Sequence, residues 1–243
     1  AVTFFKKDDV LIEAARFIAQ KQPSDAVELL INAAAVAKTA ALYAEESALA
    51  AKQRAATVFL ALGQAYEETR QVENAISAYK DKISMSPNDL DGLRMLGSLH
   101  RGILKTQDAL RYFEELKAKA KEAGPGRARD LQCLEADVEL IVTRRSGGIV
   151  GDSAIADIER VIALATDLNS QHRLGIAYLE LGRMKSMRKF WNQAAQAIEQ
   201  AIKTFEAVDD TTAASVARQT LDDKKRLRKE AAVVKAPTTF SIH

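Results

Sequence analysis

The sequence has few of the residues that build disulfide-linked, β-rich or large globular proteins. Its single cysteine, Cys133, cannot form a disulfide within the chain, and we expect a small buried side chain in a reducing compartment. The four prolines lie outside the apolar helical patterns, and aromatic residues make up only 6% of the chain. An alanine-rich apolar fraction of 47% therefore indicates an all-α protein with close helix contacts.

The sequence also lacks a charge excess of one sign and a long apolar run. Its net charge is +2, from 35 basic and 33 acidic residues, whereas a nucleic-acid partner favours a dense basic footprint. The longest apolar candidate, 33–51, is interrupted by Lys38, Glu45 and Glu46, so we expect no membrane span. The first residues lack the order of a secretory signal, and we expect a cytoplasmic protein.

Signatures of chemistry are missing as well. The three histidines are scattered, and no metal-ligand spacing or nucleophile motif occurs. The glycine-rich run 146–152 invites comparison with a phosphate-binding loop, but it lacks the Gly-Lys-Ser/Thr ending and helical patterns flank it. We interpret this run as a turn into a helix capped by Asp152 or Ser153. The sequence predicts no enzyme activity, no metal and no cofactor.

What the sequence does contain is a pattern that repeats after 34 residues. A Leu-Gly pair is followed by a ring three residues on, a small residue nine further and a ring four later. The two sets are Leu62, Gly63, Tyr66, Ala75 and Tyr79, and Leu96, Gly97, His100, Ala109 and Phe113. The glycines would let the partner helix approach closely, and His100 stands where Tyr66 packs one repeat earlier. An ordinary amphipathic helical bundle does not require the same residue types to recur after 34 positions, so the pattern favours a repeat.

This signature resembles the tetratricopeptide repeat, specifically over Ala56–Ala123 and more loosely elsewhere. The resemblance implies an all-α, right-handed superhelix of stacked antiparallel helix pairs, about five pairs plus a capping helix. It also implies that the first helices of successive pairs line a concave groove, which binds an extended peptide or a partner helix. We expect a helical repeat domain over residues 1–230 and an extended tail over 231–243.

Apolar periodicity predicts the other helices of the chain. We place them at 8–20, 26–43, 45–70, 127–145, 154–167 and 211–230, with a hard break at Gly124-Pro125-Gly126. Leu174, Gly175 and Tyr178 carry the same face as the two clear repeats, with a partner helix containing Ala194 and Phe205. In this register a loop over 181–191 is several residues longer than the turn at 69–72.

The resemblance places groove positions on the first helices. They are Leu60, Gln64 and Glu67 in the first repeat, Arg94, Ser98 and Arg101 in the second, and His172 and Ile176 in the late unit. Family members that bind the acidic tail of a chaperone have Lys and Asn where Leu60 and Gln64 stand. A groove of mixed sign instead favours a partner segment of mixed polar and apolar character.

Two further regions are candidate contact sites. The basic and aromatic loop with Arg183, Lys185, Arg188, Lys189 and Trp191 suits an acidic partner or single-stranded nucleic acid, unless Trp191 is buried between helices. The basic run 224–229 is interpreted as the solvated face of the capping helix. The tail has no helical period, and we predict that Phe240 and Ile242 dock it on another copy or on a partner.

These features favour a non-catalytic scaffold or adaptor that binds another protein within a larger assembly. One alternative is a peptide-sensing regulatory module, although related modules carry an N-terminal helix-turn-helix domain and the residues before Pro23 are too few for one. The other alternative is a nucleic-acid-binding helical array.

Overall fold

A computed structural model describes residue 14 and residues 23–43, 48–87, 90–122 and 124–234. Within these ranges the regular elements are ten helices, and none is a strand. They are α1 Pro23–Tyr43, α2 Ala48–Glu68, α3 Val72–Met85, α4 Asp91–Gly102, α5 Thr106–Glu122, α6 Arg127–Ser146, α7 Asp152–Asp167, α8 Gln171–Met187, α9 Trp191–Glu206 and α10 Thr211–Val234. The all-α prediction is confirmed. The tail residues Phe240 and Ile242 lie outside the described residues, as does the predicted helix 8–20 except for Ala14, which is helical and buried.

The chain divides into two compact units, Ala1–Lys119 and Ala120–His243. In the first unit, α1, α2 and α3 share a core around Leu30, Phe59 and Leu62, with Ala14 packed into it. A second core joins α3 to α4 through Tyr79 and Leu96. Each helix is therefore stabilised mainly by the next one along the chain, as expected for a stack without one central core.

The second unit repeats this arrangement with α6 to α10. One core joins α6, α7 and α8 through Leu134, Ile158 and Met184, which are fully buried. Another joins α8, α9 and α10 through Ile198, Phe205 and other buried side chains. The final helix α10 thus covers α9, as predicted for a capping helix.

The glycines of the two clear repeats each face a ring from the following helix. A Cβ atom built on Gly63 would lie 2.3 Å from Cε1 of Tyr79, and one on Gly97 would lie 2.6 Å from Cε1 of Phe113. Both rings are completely buried. The prediction of close approach at these glycines is confirmed, and the group that approaches is an aromatic side chain rather than the partner backbone.

Among the described residues, five helices are followed by a non-glycine residue in the left-handed region: Arg70, Leu104, Asn169, Lys189 and Asp209. A glycine, Gly148, takes this place after α6 with φ +79°. In each turn the next amide donates back to the carbonyl five residues earlier, as in Gln71 N–H to Tyr66 O at 2.8 Å. This is the Schellman ending, which satisfies the last carbonyls of a helix.

These turns shift the centre of the late repeat by two helical turns relative to the sequence prediction. The predicted helix partner is nevertheless correct, because a Cβ atom built on Gly175 would lie 2.6 Å from Cε1 of Phe205 on α9. In the two clear repeats the left-handed residue lies seven positions after the glycine (Gly63 to Arg70, Gly97 to Leu104). The same spacing runs from Gly182 to Lys189, and Ala194 follows Gly182 as Ala75 follows Gly63. The repeat therefore centres on Gly182, two helical turns after Gly175. The predicted long loop does not form, because α8 continues to Met187 and three residues join it to α9.

Other boundaries also differ from the sequence prediction. The helix α7 begins at Asp152 with Gly151 as N-cap and no capping side chain, so the proposed cap by Asp152 or Ser153 is wrong. The helix α10 continues to Val234, four residues into the predicted tail. Cys133 is half-buried rather than buried.

Candidate functional site

The turns define which residues share one face of the first helices. Relative to the repeat glycine, residues three before, one after and four after lie on one side of a helix because they are spaced by four and three. Gly148 is the left-handed residue after α6, as Lys189 is after α8. Counting seven positions back from Gly148 gives Ile141, which therefore stands where the other repeats have glycine. We call this side the A-helix face of each unit. In the first unit its members are Leu60, Gln64 and Glu67 on α2 and Arg94, Ser98 and Arg101 on α4. In the second unit they are Val138, Val142 and Arg145 on α6 and Leu179, Arg183 and Ser186 on α8.

The three positions on α2 differ in their exposure and in their contacts within the chain. Leu60 is half-buried against the core between α2, α3 and α4. Gln64 is exposed. Glu67 is exposed but accepts a hydrogen bond from the hydroxyl of Tyr79, and burial together with this carboxylate raises the pKa of Tyr79. Glu67 thus has a partner within the chain, which its prediction as a groove position did not anticipate.

On α4, both arginines make contacts within the chain. Arg94 Nη2 lies 2.9 Å from Asp91 Oδ1, one turn away. The Arg101 guanidinium carbon lies 5.5 Å from the centre of the Phe113 ring, which the same helix pair buries. Ser98 is half-buried between them. The two arginines are two helical turns apart, so one extended segment could contact both.

In the second unit, the corrected register changes the predicted positions. Ile176 remains near the A-helix face, one turn before Leu179, and it is half-buried between the two cores. His172 lies a further turn away and contacts the end of α9 instead. Its Nδ1 atom is 2.9 Å from Asp210 Oδ2, and its ring centre is 5.9 Å from that of Phe205.

A buried carboxylate holds two arginines on the A-helix face of the second unit. The Glu180 side chain is only 3% exposed and accepts hydrogen bonds from Arg183, at 2.6 Å, and from Arg145 Nε. Each arginine side chain keeps about a quarter of its surface exposed, 24% for Arg145 and 26% for Arg183. Because Glu180 fixes both guanidinium groups, little side-chain entropy is left for a ligand to remove.

A cavity of about 220 Å³ opens beside these arginines. Its lining comes from α6, α8 and α10: Arg145, Arg183, Met187, Thr220, Asp223 and Lys224. Three cations face one lining carboxylate, and Met187 leaves 49% of its surface exposed. The sequence analysis did not predict Arg145 or Lys224 as site residues. It placed Arg183 in a loop, whereas the spacing from Gly182 to Ala194 indicates that Arg183 belongs to the A-helix face.

The basic and aromatic residues predicted to share a loop are distributed over three elements. Arg183 and Lys185 lie on α8, Arg188 and Lys189 lie in the following turn, and Trp191 begins α9. Trp191 is half-buried, so its ring is neither fully accessible to a partner nor fully buried between helices. The Arg188 guanidinium carbon lies 5.1 Å from the Phe190 ring centre, and Lys185 Nζ donates to Gln193 at 3.1 Å.

Two further findings bear on the kind of protein. Within the described ranges, no group of three or more histidine, cysteine, aspartate or glutamate side chains is placed to hold a metal ion. In the same part of the chain, no helix is long and apolar enough to cross a bilayer.

Comparison with protein families gives one match, to the tetratricopeptide repeat, over residues 56–89. This segment is the first of the two repeats marked by a Leu-Gly pair, and the match begins at the residue where the sequence pattern begins. No curated protein sequence matches the chain.

Solved structures extend the likeness beyond this repeat. A kinesin light chain-like protein of Podosopora anserina with nearly identical TPR-like repeats is 21% identical, with a TM-score of 0.58 over 83% of this chain and 95% of that one. BtubC from P. vanneervenii is 14% identical, with a TM-score of 0.58 over 89% and 96%. A STAND protein with a tetratricopeptide repeat sensor from Pyrococcus horikoshii is 14% identical, with a TM-score of 0.62 over 95% and 36%. At these identities the likeness concerns the fold, which is that of a tetratricopeptide-like helical repeat.

Proposed function

We propose that the chain is a non-catalytic protein-interaction module, an adaptor or scaffold, that binds a segment of a partner protein on its A-helix face. The observation that carries this proposal is the cavity of the second unit, where Arg145 and Arg183 are held by the buried Glu180. Lining residues from three helices converge there, and a repeat fold offers such surfaces without a catalytic centre.

The cavity favours a partner segment with an acidic side chain next to an apolar one. Arg145, Arg183 and Lys224 can donate hydrogen bonds to a carboxylate, and guanidinium groups match the planar geometry of that group. The exposed thioether of Met187 offers an adaptable apolar contact beside them. In the first unit, Leu60, Gln64, Arg94 and Ser98 offer the same mixture of apolar and polar groups on the A-helix face.

Site-specific photocrosslinking tests which face binds. A benzoylphenylalanine is introduced singly at Gln64 and at Met187, both exposed on first helices, and at Lys80 and Glu199, both exposed on second helices. After irradiation in a native lysate, we expect Gln64 and Met187 each to trap proteins that Lys80 and Glu199 do not trap. Equal trapping from Lys80 and Glu199 would contradict the proposal.

A charge variant tests the cavity itself. Lys224→Glu changes the cavity charge without touching the Arg145–Glu180–Arg183 cluster, and Lys203→Glu is the matched control on an exposed part of α9. We expect Lys224→Glu to weaken binding of the trapped partner about tenfold, as for loss of a hydrogen bond to a charged group, and Lys203→Glu to leave it unchanged. Equal affinities of the two variants would place the binding site elsewhere.

A further inference from the structure

The second unit brings together two basic clusters that lie far apart in the sequence. Arg188 and Lys189 form the turn after α8, whereas Arg228 lies near the end of α10. Arg228 Nη1 donates to Asn192 Oδ1 at 2.8 Å, which fixes the end of α10 against the start of α9. The run 224–229 is therefore more than the solvated face of a capping helix.

A cavity of about 300 Å³ lies where these segments meet. Its lining is Lys189, Phe190, Trp191, Asn192, Gln193 and Arg228, which contributes two cations, two aromatic rings and two amides but no carboxylate. Beside this lining, Asp152 accepts a hydrogen bond from Arg188, and Asp223 lies 3.4 Å from Arg226. The charge of this surface is thus positive, although the whole chain is nearly neutral.

The cavity also presents apolar surface to the solvent. Phe190 leaves 45% of its surface exposed, and the Arg188 guanidinium covers one side of its ring at 5.1 Å. Trp191 is half-buried at the cavity wall. Aromatic rings next to arginine in a partly enclosed pocket are the composition of strong contact points in protein interfaces.

We infer that this turn–α10 surface, made of residues 188–193 and Arg228, is a second docking site that binds an acidic segment of a partner protein and accepts one of its apolar side chains. Lys189 and Arg228 pair with the acidic groups, and the apolar side chain packs against Phe190 and Trp191. The site shares no lining residue with the cavity on the A-helix face, so it stands apart from the proposed function.

A protein segment fits this surface better than single-stranded nucleic acid. Base stacking needs accessible ring faces, whereas Arg188 covers one side of Phe190 and Trp191 is half-buried. The cavity has room for about one side chain rather than a row of bases.

The test uses a fluorescein-labelled peptide of glutamate and aspartate with one central leucine, amidated at its C-terminus, and measures binding by fluorescence anisotropy. The comparison probes are the same peptide with glutamine and asparagine in place of the acids, and labelled oligothymidylate. We expect the whole chain to bind the acidic peptide more tightly than either. Equal binding of the neutral peptide, or tighter binding of oligothymidylate, would overturn the inference.

Variants locate the binding. Lys189→Glu and Phe190→Ser should each weaken the acidic peptide about tenfold, whereas Lys121→Glu, an exposed cation on α5, should change its affinity by less than about twofold. Circular dichroism verifies that each variant is folded. If Lys224→Glu weakens the peptide while Lys189→Glu does not, the peptide binds the A-helix face and the second site does not exist. If both Lys189→Glu and Phe190→Ser retain full affinity in folded protein, the inference also fails.

Discussion

At the scale of single residues, alanine substitutions at two glycines of α4 test how closely the repeat is packed. A Cβ atom on Gly97 would lie 2.6 Å from the buried ring of Phe113, whereas one on Gly102 would have nothing within 4 Å. Gly97→Ala should therefore lower the free energy of unfolding by roughly 1–3 kcal/mol. Gly102→Ala should leave it unchanged or raise it by up to about 1 kcal/mol, because alanine favours the helix.

Urea denaturation of the two variants makes this comparison. Adding Phe113→Leu to Gly97→Ala should recover part of the loss, because the ring that meets the new Cβ is removed. A Gly97→Ala protein as stable as the parent would contradict the repeat register assigned to α4.

His100 makes the same repeat sensitive to acid. Its side chain is 8% exposed, neither ring nitrogen has a hydrogen-bond partner among the described residues, and Nδ1 lies 3.8 Å from Asp108 Oδ2. Burial lowers the pKa of His100 from its ordinary value of 6.5; the Asp108 carboxylate opposes this shift, and the cations of Lys105, Arg111 and Lys80 add to it. Between the lowered pKa of the folded state and pH 6.5, the unfolded chain therefore binds a proton at His100 that the folded chain does not.

We expect stability to be complete above about pH 6.5 and to fall as the pH drops toward the folded-state pKa, by roughly 1 kcal/mol for each pH unit. His100→Phe should remove this contribution, since it keeps a ring at the site without a titrating group. Urea unfolding of both proteins at about pH 7.5 and about pH 5.5, on either side of the ordinary histidine pKa, measures the difference. An equal loss of stability in parent and variant would show that other groups cause the acid sensitivity.

At the scale of elements, the turns between helices carry backbone strain. Leu104 ends α4 with φ +60° and is 83% exposed, so it adopts the left-handed region without a packing reward. This conformation costs an L-residue roughly 1–2 kcal/mol, whereas glycine adopts it freely. Leu104→Gly should therefore raise the free energy of unfolding by about 0.5–1 kcal/mol after the greater unfolded-state entropy of glycine is subtracted.

Leu104→Ala is the matched control because it removes the exposed side chain but keeps the strained backbone. Thermal unfolding should show a higher midpoint for the glycine variant than for the alanine variant. Equal midpoints would mean that the turn stores no strain at this residue.

At the scale of the whole molecule, the C-terminal tail is predicted to mediate association. Phe240 and Ile242 are apolar residues in a segment without a helical period, and α10 ends at Val234. Truncation after Val234 keeps the entire capping helix, so the melting temperature of the monomer should change little. We expect the truncated protein to lose association measured by sedimentation velocity, and identical sedimentation of the full and truncated chains would contradict the tail prediction.

Several features of this protein could be predicted from its sequence alone. The spacing from Gly63 to Tyr79 and from Gly97 to Phe113 depends on contacts within one helix pair, and such local contacts repeat whenever the same spacing repeats. The helix class, the break at Gly124-Pro125-Gly126 and the capping helix follow from equally local patterns. The register of the late repeat could also be predicted from the spacing of Gly182 and Ala194, which equals that of Gly63 and Ala75. The Leu-Gly-x-x-Tyr pattern at Gly175 and Tyr178 matches the clear repeats more closely and led to the other register.

Only the tertiary structure decided which charged residues meet. Arg145, Glu180 and Lys224 lie on three different helices. Their sequence separations carry no signal, because the apolar pattern of one helix does not specify which other helices pack beside it. The same holds for Lys189 and Arg228, which the packing of α10 on α9 brings to one cavity. Local spacing determines the repeat, because its contacts are within a helix pair. The packing of successive pairs determines the binding surfaces, because those surfaces are built from side chains that no single pair contains.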